Sequence, residues 1–284
     1  MWQNFNRSFR PINVLFVCLA QVLSVRFLAD INFQQHGLVG LFLLVSVSVL
    51  TTIGAYISND LLDEKRDEKN GKKRSLWVLM PTFSWILYIL ISIFSLYLAA
   101  MLSRQFMLSI SIVLLFCLWY SYVLKNIAFL GNIVAAATTS FGIFVLYLLY
   151  DIDLILLLFF STMSFLINYN RELVKDIIDL HGDEFDGAKT TPVFFGLPRT
   201  IEMLKFSLTS TFFILVFAAY YLSKNYFFGD LKILFNVYIL FFLIFPIGFS
   251  YFLLMKKNVE TKFQHISLYL KIVLYGGIIL ICLF

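Results

Sequence analysis

The sequence predicts an all-α, polytopic membrane protein with nine transmembrane helices. Of its 284 residues, 61% are hydrophobic, 18% aromatic and only 14% charged, whereas about a quarter of the residues in a soluble domain are charged. The mean hydropathy is +0.87. This composition excludes a soluble globular protein, and the 33 Phe and 15 Tyr exclude an intrinsically disordered chain. The three cysteines lie inside apolar runs, so neither a disulfide framework nor a zinc site is expected.

Nine apolar runs are long enough to cross a bilayer as helices. The first run follows Arg7 and Arg10 but has no small-residue cleavage site after it, so we interpret it as a retained span and not as a signal peptide. The predicted spans are residues 12–28, 38–58, 76–100, 106–123, 129–149, 152–168, 206–223, 232–255 and 266–284.

The basic residues predict the orientation of these spans, because cytoplasmic loops are enriched in Lys and Arg. If the N-terminus is inside, only Arg104, Lys224 and Lys232 of the 22 Lys and Arg fall outside. Arg26 and Lys271 fall within spans, where their long side chains can snorkel, which leaves 17 on the cytoplasmic side. We therefore expect a cytoplasmic N-terminus and an external C-terminus. Because the basic residues act as orientation signals, no nucleic-acid partner is expected.

Two acidic clusters follow the second and the sixth predicted spans, in loops expected to be cytoplasmic. In the first cluster, Asn59, Asp63 and Asp67 recur every four residues, so they stack on one stripe of a helix that leaves the membrane. Steps of three and four residues keep the carboxylates of the second cluster within an arc of about 60°. This second cluster consists of Asp176, Asp179 and Asp183.

Like charges on one helical face repel each other unless a cation lies among them. Oxygen ligands suit a hard divalent cation, and Mg²⁺ prefers one or two carboxylates together with the phosphate oxygens of a substrate. Two facing stripes therefore predict an Mg²⁺ clamp for a diphosphate. The alternative is a pair of solvated loops whose acids pair with Lys65, Arg66, Lys72 and Lys175. The repetition of the stripe at corresponding positions favours the clamp.

At these residues the sequence resembles the UbiA superfamily of intramembrane aromatic and lipid prenyltransferases. Asn59-x-x-x-Asp63-x-x-x-Asp67 is similar to the family's first aspartate-rich motif, and Asp176-x-x-Asp179-x-x-x-Asp183 is similar to its second. Two shorter strings resemble the family's motifs at the start of the first helix and between the fourth and fifth helices. They are Arg10-Pro11-x-Asn13 and Tyr120-Ser121-x-x-Leu124-Lys125, the latter followed by Gly131-Asn132.

The resemblance implies one prenyltransferase domain over residues 1–284, a helix bundle around a central cavity with cytoplasmic cap loops at about 59–75 and 169–205. It implies an Mg²⁺-dependent enzyme that ionises a polyprenyl diphosphate, so that an acceptor attacks C1 in a cavity shielded from water. The implied metal ligands are Asn59, Asp63, Asp67, Asp176, Asp179 and Asp183. The implied catalytic residues are Asp63, Asp67, Asp176, Asp179, Lys125 and Tyr120. The candidate substrate-binding residues are Asn13, Asn59, Ser121, Lys125, Arg171, Lys175 and Lys189.

The string that begins Arg171-Glu172-Leu-Val-Lys175-Asp176 resembles the digeranylgeranylglyceryl phosphate synthase-like branch of the family. This implies transfer of a geranylgeranyl-type chain to a glycerol-phosphate ether lipid in a bacterial or archaeal plasma membrane. Arg171, Lys175 and Lys189 are available to bind the acceptor's phosphate. Asp60 and Glu172 are either acceptors of its proton or solvated acids. An aromatic acceptor, of the quinone, homogentisate or chlorophyll type, remains the alternative.

Two alternative functions, neither of them enzymatic, are also considered. A secondary transporter also places charged residues at helix ends, but transport favours ionisable residues near the middle of the membrane, whereas the acids here lie at predicted cytoplasmic ends. A non-catalytic assembly factor leaves the two acidic stripes unexplained.

Overall fold

The structure is a computed structural model that describes residues 2–29, 37–256 and 262–284. Every regular element within these ranges is a helix. Nine helical stretches of the described chain are long and apolar enough to span a bilayer, as the sequence predicts. They are Asn4–Phe27, Gly37–Leu62, Pro81–Leu102, Arg104–Tyr122, Leu130–Leu148, Leu154–Phe185, Leu197–Asn225, Gly229–Met255 and Lys262–Leu283.

Several spans consist of more than one helical segment. The first is interrupted at Arg10, whose backbone is left-handed (φ 44°), and Pro11 opens the next segment, where its missing N–H costs nothing. The eighth contains a π-helical turn, Leu240–Ile244, just before Pro246. The segments are α1 (Trp2–Phe9), α2 (Pro11–Phe27), α3 (Gly37–Leu62), α4 (Glu64–Lys69), α5 (Leu76–Leu79), α6 (Pro81–Leu102), α7 (Arg104–Tyr122), α8 (Leu130–Phe144), α9 (Leu154–Phe185), α10 (Thr191–Phe195), α11 (Leu197–Asn225), α12 (Gly229–Ile239), α13 (Phe245–Met255) and α14 (Lys262–Leu280).

Helix α9 lies at the centre of the bundle and packs against α8, α11 and α14. Leu157, Ile167 and Leu173 are buried along its length. The helix continues past the predicted sixth span, 152–168, to Phe185, so much of the segment expected to form a cap loop at 169–205 is helical. Charged residues end the apolar run at this point, but they keep helical spacing, so the helix extends beyond the apolar layer without a break.

The outer surface of the bundle is apolar. Phe42, Phe206 and Phe217 are each more than 70% exposed. Exposed apolar side chains over such an area are unfavourable in water but not in a lipid bilayer, so this surface agrees with an integral membrane protein.

One end of the bundle carries three short helices, α4, α5 and α10, and we refer to it as the cap end. Helices α4 and α10 pack against the terminal part of α9, whereas α5 packs against α3, α1 and α6. Both acidic motifs lie at this end, because the first surrounds the junction of α3 with α4 and the second occupies the last turns of α9.

Candidate active site

The first acidic motif bends at Asp63, where α3 gives way to α4. The hydrogen bonds of a helix nevertheless continue through the bend. The Asp63 N–H donates to the Asn59 carbonyl oxygen at 2.9 Å, and the Asp67 N–H donates to the Asp63 carbonyl oxygen at 2.9 Å. Asn59, Asp63 and Asp67 therefore lie on successive turns, in the arrangement that the four-residue spacing predicts.

The second acidic motif is oriented by hydrogen bonds from neighbouring segments. Asn132, near the start of α8, donates to the Asp176 carboxylate at 2.7 Å. Thr191, at the start of α10, donates to the side-chain oxygen of Asn132 at 2.6 Å, and Thr190 donates to Asp183 at 3.0 Å. These contacts fix the orientations of the Asp176 and Asp183 carboxylates.

Two cations from the first motif's own segment join the two motifs. The Lys72 ammonium lies 3.2 Å from Asp67 and 2.6 Å from Asp179. The Arg66 guanidinium lies 3.7 Å from Asp63 and 3.2 Å from Asp183. The sequence left charge pairing with Arg66 and Lys72 as the alternative to a metal clamp, and the structure contains both pairings. Each cation contacts carboxylates of both motifs and so holds the two motifs face to face.

The charges of these cations are stabilised by the carboxylates around them. Burial disfavours the charged form of Lys72, but Asp179 and Asp67 outweigh it and raise its pKa. Burial likewise opposes the charge of Arg66, and its acidic neighbours, Asp63 first, raise its pKa. Both side chains therefore stay protonated at neutral pH.

Lys125 approaches the first motif from the turn between α7 and α8. It is 9% exposed and pairs with Asp63. Burial lowers the pKa of its ammonium group even though Asp63 opposes the shift. Gly131 allows this approach, since a Cβ at this position would lie 2.9 Å from the Leu124 carbonyl oxygen and 3.0 Å from the Cα of Lys125.

Asn70 connects the end of α4 to the last turns of α9. Its side-chain oxygen accepts a hydrogen bond from the Gly182 N–H at 2.9 Å, and its amide nitrogen donates to the Asp179 carbonyl oxygen at 3.4 Å. A Cβ at Gly182 would come within 2.4 Å of the terminal atoms of Asn70. The absence of a side chain at Gly182 is therefore what admits Asn70.

The donor set of the two motifs fits Mg²⁺. Within the described ranges, no three His, Cys, Asp or Glu side chains converge into a ready-made metal cage. Mg²⁺ needs only one or two carboxylates when substrate phosphates and water complete its shell. The position of Lys72 between Asp67 and Asp179, and that of Arg66 between Asp63 and Asp183, show that carboxylates of both motifs reach common positive charges.

A cavity of about 480 Å³ extends between α2, α9 and α14, and its lining reaches Lys175, the residue before Asp176, without including the side chains of the two motifs. From Lys175 to Phe159 it follows α9 for about 24 Å, at about 1.5 Å of rise per residue. Most of its wall is apolar. Its charged side chains, together with Asn13 and Tyr56, gather towards the cap end, and they are Arg10, Arg171, Glu172, Lys175 and Lys271. Gln21, Thr139, Ser164 and Asn168 add uncharged polar groups to the rest of the wall.

Three of the seven substrate-binding candidates line the cavity, and Lys189 lies outside it. Asn13, Arg171 and Lys175 line the cavity. The Lys189 side chain is exposed and is not among the lining residues, although its N–H donates to the Asn126 carbonyl oxygen at 3.1 Å and anchors the loop before α10.

Of the two candidates at the end of α7, Tyr120 lies beside the acidic motifs and Ser121 is buried. Ser121 is 2% exposed. Tyr120 is near enough to Glu172, Asp176 and Asp63 to interact with their charges.

Sequence reasoning assigned no role in the site to several of these residues. Asn70 and Thr191 lie in polar loops with no periodic signal. The sequence allowed the Lys271 side chain to snorkel, and in the structure this side chain lines the cavity. The only indication in the sequence was that Lys271 lies inside an apolar run, where a charged residue usually serves a function.

Comparison with known proteins identifies the family. The model of the UbiA prenyltransferase family matches residues 14–272. The chain belongs to this family. It is therefore an integral membrane prenyltransferase, as the motifs predicted, and the transporter and assembly-factor readings do not hold.

Two curated relatives and two solved structures are similar to this UbiA family member. The digeranylgeranylglyceryl phosphate synthase of Methanosphaera stadtmanae is 26% identical over 93% of this chain and 92% of that protein. The synthase of Thermococcus gammatolerans is 31% identical over 69% of this chain and 71% of that protein.

Among solved structures, a digeranylgeranylglyceryl phosphate synthase in membranes has a TM-score of 0.70 at 18% identity, over 99% of both chains. A UbiA homolog from Archaeoglobus fulgidus bound to GPP and Mg²⁺ has a TM-score of 0.64 at 16% identity, over 98% of this chain and 99% of that one. These two likenesses show that the fold is shared.

Proposed function

We propose that this enzyme transfers a geranylgeranyl-type chain from its diphosphate to a hydroxyl of a glycerol-phosphate ether lipid. The observation that carries the proposal is the cavity. It joins a long apolar compartment to a polar end at which positive side chains outnumber negative ones, beside two carboxylate motifs. The apolar compartment suits the prenyl chain, and the positively charged end suits the diphosphate and the phosphate of the acceptor. The two relatives described above are named as synthases of digeranylgeranylglyceryl phosphate, a product that this reaction would give, and this supports the assignment.

In this proposal the residues that would hold Mg²⁺ and the diphosphate are Asn59, Asp63, Asp67, Asp176, Asp179 and Asp183. The metal supplies positive charge to the phosphate oxygens on which negative charge develops. Lys125, Arg66 and Lys72 lie among the same carboxylates and supply further positive charge to the departing diphosphate. Asn132 and Thr190 keep Asp176 and Asp183 oriented for this role.

The apolar wall protects the allylic cation from water. When the C1–O bond breaks, its electron pair leaves with the diphosphate, and the remaining cation reacts with any water within reach. Phe159, Phe160, Met163 and Ile167 line the compartment along α9 and offer no hydrogen-bond partner to water. The faces of the aromatic residues also attract the positive charge.

The acceptor hydroxyl then forms the new C1–O bond and releases its proton. Glu172 is the only carboxylate among the described residues that line the cavity. Lys175 holds it with contacts of 2.7 Å and 2.9 Å to its two oxygens. Because the oxygen is strongly acidic once it is bonded to C1, a weakly basic carboxylate suffices to take the proton. Asp60 is buried against Arg10 at 2.5 Å and does not line the cavity, so we assign the proton to Glu172.

The cap end is assigned to the cytoplasm of a bacterial or archaeal cell. The basic residues that predict this orientation gather at the cap end, where Arg66, Lys72 and Lys125 pair with acids. Soluble Mg²⁺ and prenyl diphosphates are then on the side where the acidic motifs are accessible.

Product analysis tests this function. The purified enzyme is incubated with Mg²⁺, geranylgeranyl diphosphate and a set of acceptors, among them a glycerol-phosphate ether lipid with one free hydroxyl, hydroxybenzoate and homogentisate. Mass spectrometry should identify a lipid with a second ether-linked chain. A prenylated ring without any ether lipid would refute the proposed acceptor and leave prenyl transfer intact.

A further inference from the structure

The cap end of the cavity has an excess of positive charge that the Mg²⁺ clamp does not use. Four cationic side chains and one carboxylate line the cavity in the described part of the chain. Arg10 is paired with Asp60, and Lys175 is paired with Glu172. Arg171 and Lys271 remain, and neither has an ion pair within 4 Å among the described residues.

Lys271 lies deep within the ninth span. It follows the first described residue of α14, Lys262, by about 13 Å along the helix axis. A lysine at such a depth is costly in a bilayer unless it faces polar surroundings. It is half-buried, lines the cavity and is close enough to Arg171 and Lys175 for their like charges to interact. Glu172 offsets one of these positive charges, and the net positive charge that remains favours a further anion.

Arg171, on the neighbouring helix α9, also indicates that an anion binds at this end of the cavity. Its Nε is buried and has no hydrogen-bond partner in the described structure. A buried guanidinium nitrogen without a partner loses its interaction with water and gains nothing in exchange. An anion between α9 and α14 would provide an acceptor to both Arg171 and Lys271.

We infer that Arg171 and Lys271 together bind the phosphate of the acceptor lipid, so that the ninth span determines acceptor specificity. This inference rests on the proposed function. A phosphate monoester carries a charge of about −1.5 to −2 at neutral pH, which matches the two unpaired cations. Its oxygens accept charge-assisted hydrogen bonds from both side chains. Aromatic acceptors without a phosphate offer no such charge. Lys189, the third cation that the sequence offered for this role, is exposed outside the cavity.

Lys271→Gln tests the site, with two probes and two control variants. The probes are the mono-geranylgeranyl glycerol-phosphate lipid and the same lipid without its phosphate, titrated onto detergent-solubilised enzyme. Arg26→Gln is the matched control, because Arg26 is the other cation inside a predicted span, but it is exposed and lies outside the cavity lining. Lys271→Arg keeps the charge and shows whether the fold tolerates a change at this position.

The wild-type enzyme should bind the phosphorylated lipid more tightly than the dephosphorylated one. Lys271→Gln should weaken binding of the phosphorylated lipid by about ten- to a hundredfold, the effect of one hydrogen bond to a charged group. It should leave the affinity for the dephosphorylated lipid nearly unchanged. Lys271→Arg and Arg26→Gln should each stay within about threefold of wild type. In turnover, Lys271→Gln should raise the KM for the acceptor far more than the KM for the prenyl diphosphate.

Three results would overturn the inference, and they separate its failure from failure of the proposed function. If Lys271→Gln makes the ether lipid with an unchanged acceptor KM, or loses affinity equally for both probes, the phosphate site is wrong and the proposed function stands. If the wild-type enzyme neither binds the phosphorylated lipid nor prenylates it, both are wrong.

Discussion

The contact between Asn70 and Gly182 predicts that the effect of Gly182→Ala on stability changes sign when Asn70 is also replaced by Ala. Gly182→Ala replaces the least favourable ordinary residue of a helix with the most favourable one, which alone should stabilise α9 by about 0.5 to 1 kcal/mol. The added Cβ, however, would lie 2.4 Å from three atoms of Asn70 and must displace its side chain.

Displacement of Asn70 breaks the two hydrogen bonds that it makes to α9. At about 0.5 to 1.5 kcal/mol each, they contribute about 1 to 3 kcal/mol. This loss exceeds the gain in helix propensity, so Gly182→Ala should be destabilising in the wild-type background. Asn70→Ala removes the same three atoms, so Gly182→Ala should be stabilising when added to it. The coupling free energy should equal the contribution of the two hydrogen bonds, about 1 to 3 kcal/mol.

Thermal unfolding of the four proteins in one detergent measures this coupling, and Mg²⁺-dependent prenyl transfer gives an independent readout. Asn70 holds the segment that carries Lys72, so transfer rates should fall in both single variants and fall no further in the double variant. Gly248→Ala, where the new Cβ meets only Phe212 at 3.9 Å, is the control for helix propensity. Additive changes in stability would refute the proposed contact.

Three further predictions concern the motif, a helix cap and the topology. Asp176→Asn should lower turnover at least a hundredfold without unfolding the protein, whereas Asp230→Asn at an exposed site should not; equal effects would contradict the metal assignment. Asp153→Ala removes an N-cap that accepts from two N–H groups of α9 and from the Tyr226 hydroxyl at 2.8 Å, so it should lower stability by about 1 to 2 kcal/mol with the transfer rate retained, which thermal unfolding measures. Glu68→Cys, in a background where Cys18, Cys117 and Cys282 are replaced by Ala, should react with a membrane-impermeant thiol reagent only in inverted vesicles, and labelling of intact cells would reverse the topology.

The sequence predicted the spans and both acidic stripes because these features are local. Apolar runs of bilayer length and spacings of three or four residues are sufficient to define a span and a helix face. The end of the sixth span was harder to predict, since hydropathy falls at Arg171 although the helix continues to Phe185. Asn168, Glu172 and Asp176 follow one another at intervals of four, and this regular spacing was the available signal for a continuous helix.

The partners of the acidic residues could not be predicted, because they come from distant parts of the chain. Arg66 contacts Asp183, and Asn132 contacts Asp176, only after α4 and α8 have packed against α9. The role proposed for Lys271 likewise depends on which side of α14 faces the cavity, and the residues around Lys271 are apolar on every side of the helix, so they have no periodic pattern to indicate it.

The pairing of Arg66 and Lys72 with both motifs affects how the protein folds and persists in the cell when it has no bound metal. Many metal sites assemble only when the ion arrives, so the apoprotein is unfolded and exposed to proteases. Here the protein's own cations already offset the repulsion between the carboxylates. Newly inserted enzyme can therefore complete its cap before any metal is captured. Magnesium starvation would silence the enzyme without depleting it, and activity could return without new synthesis.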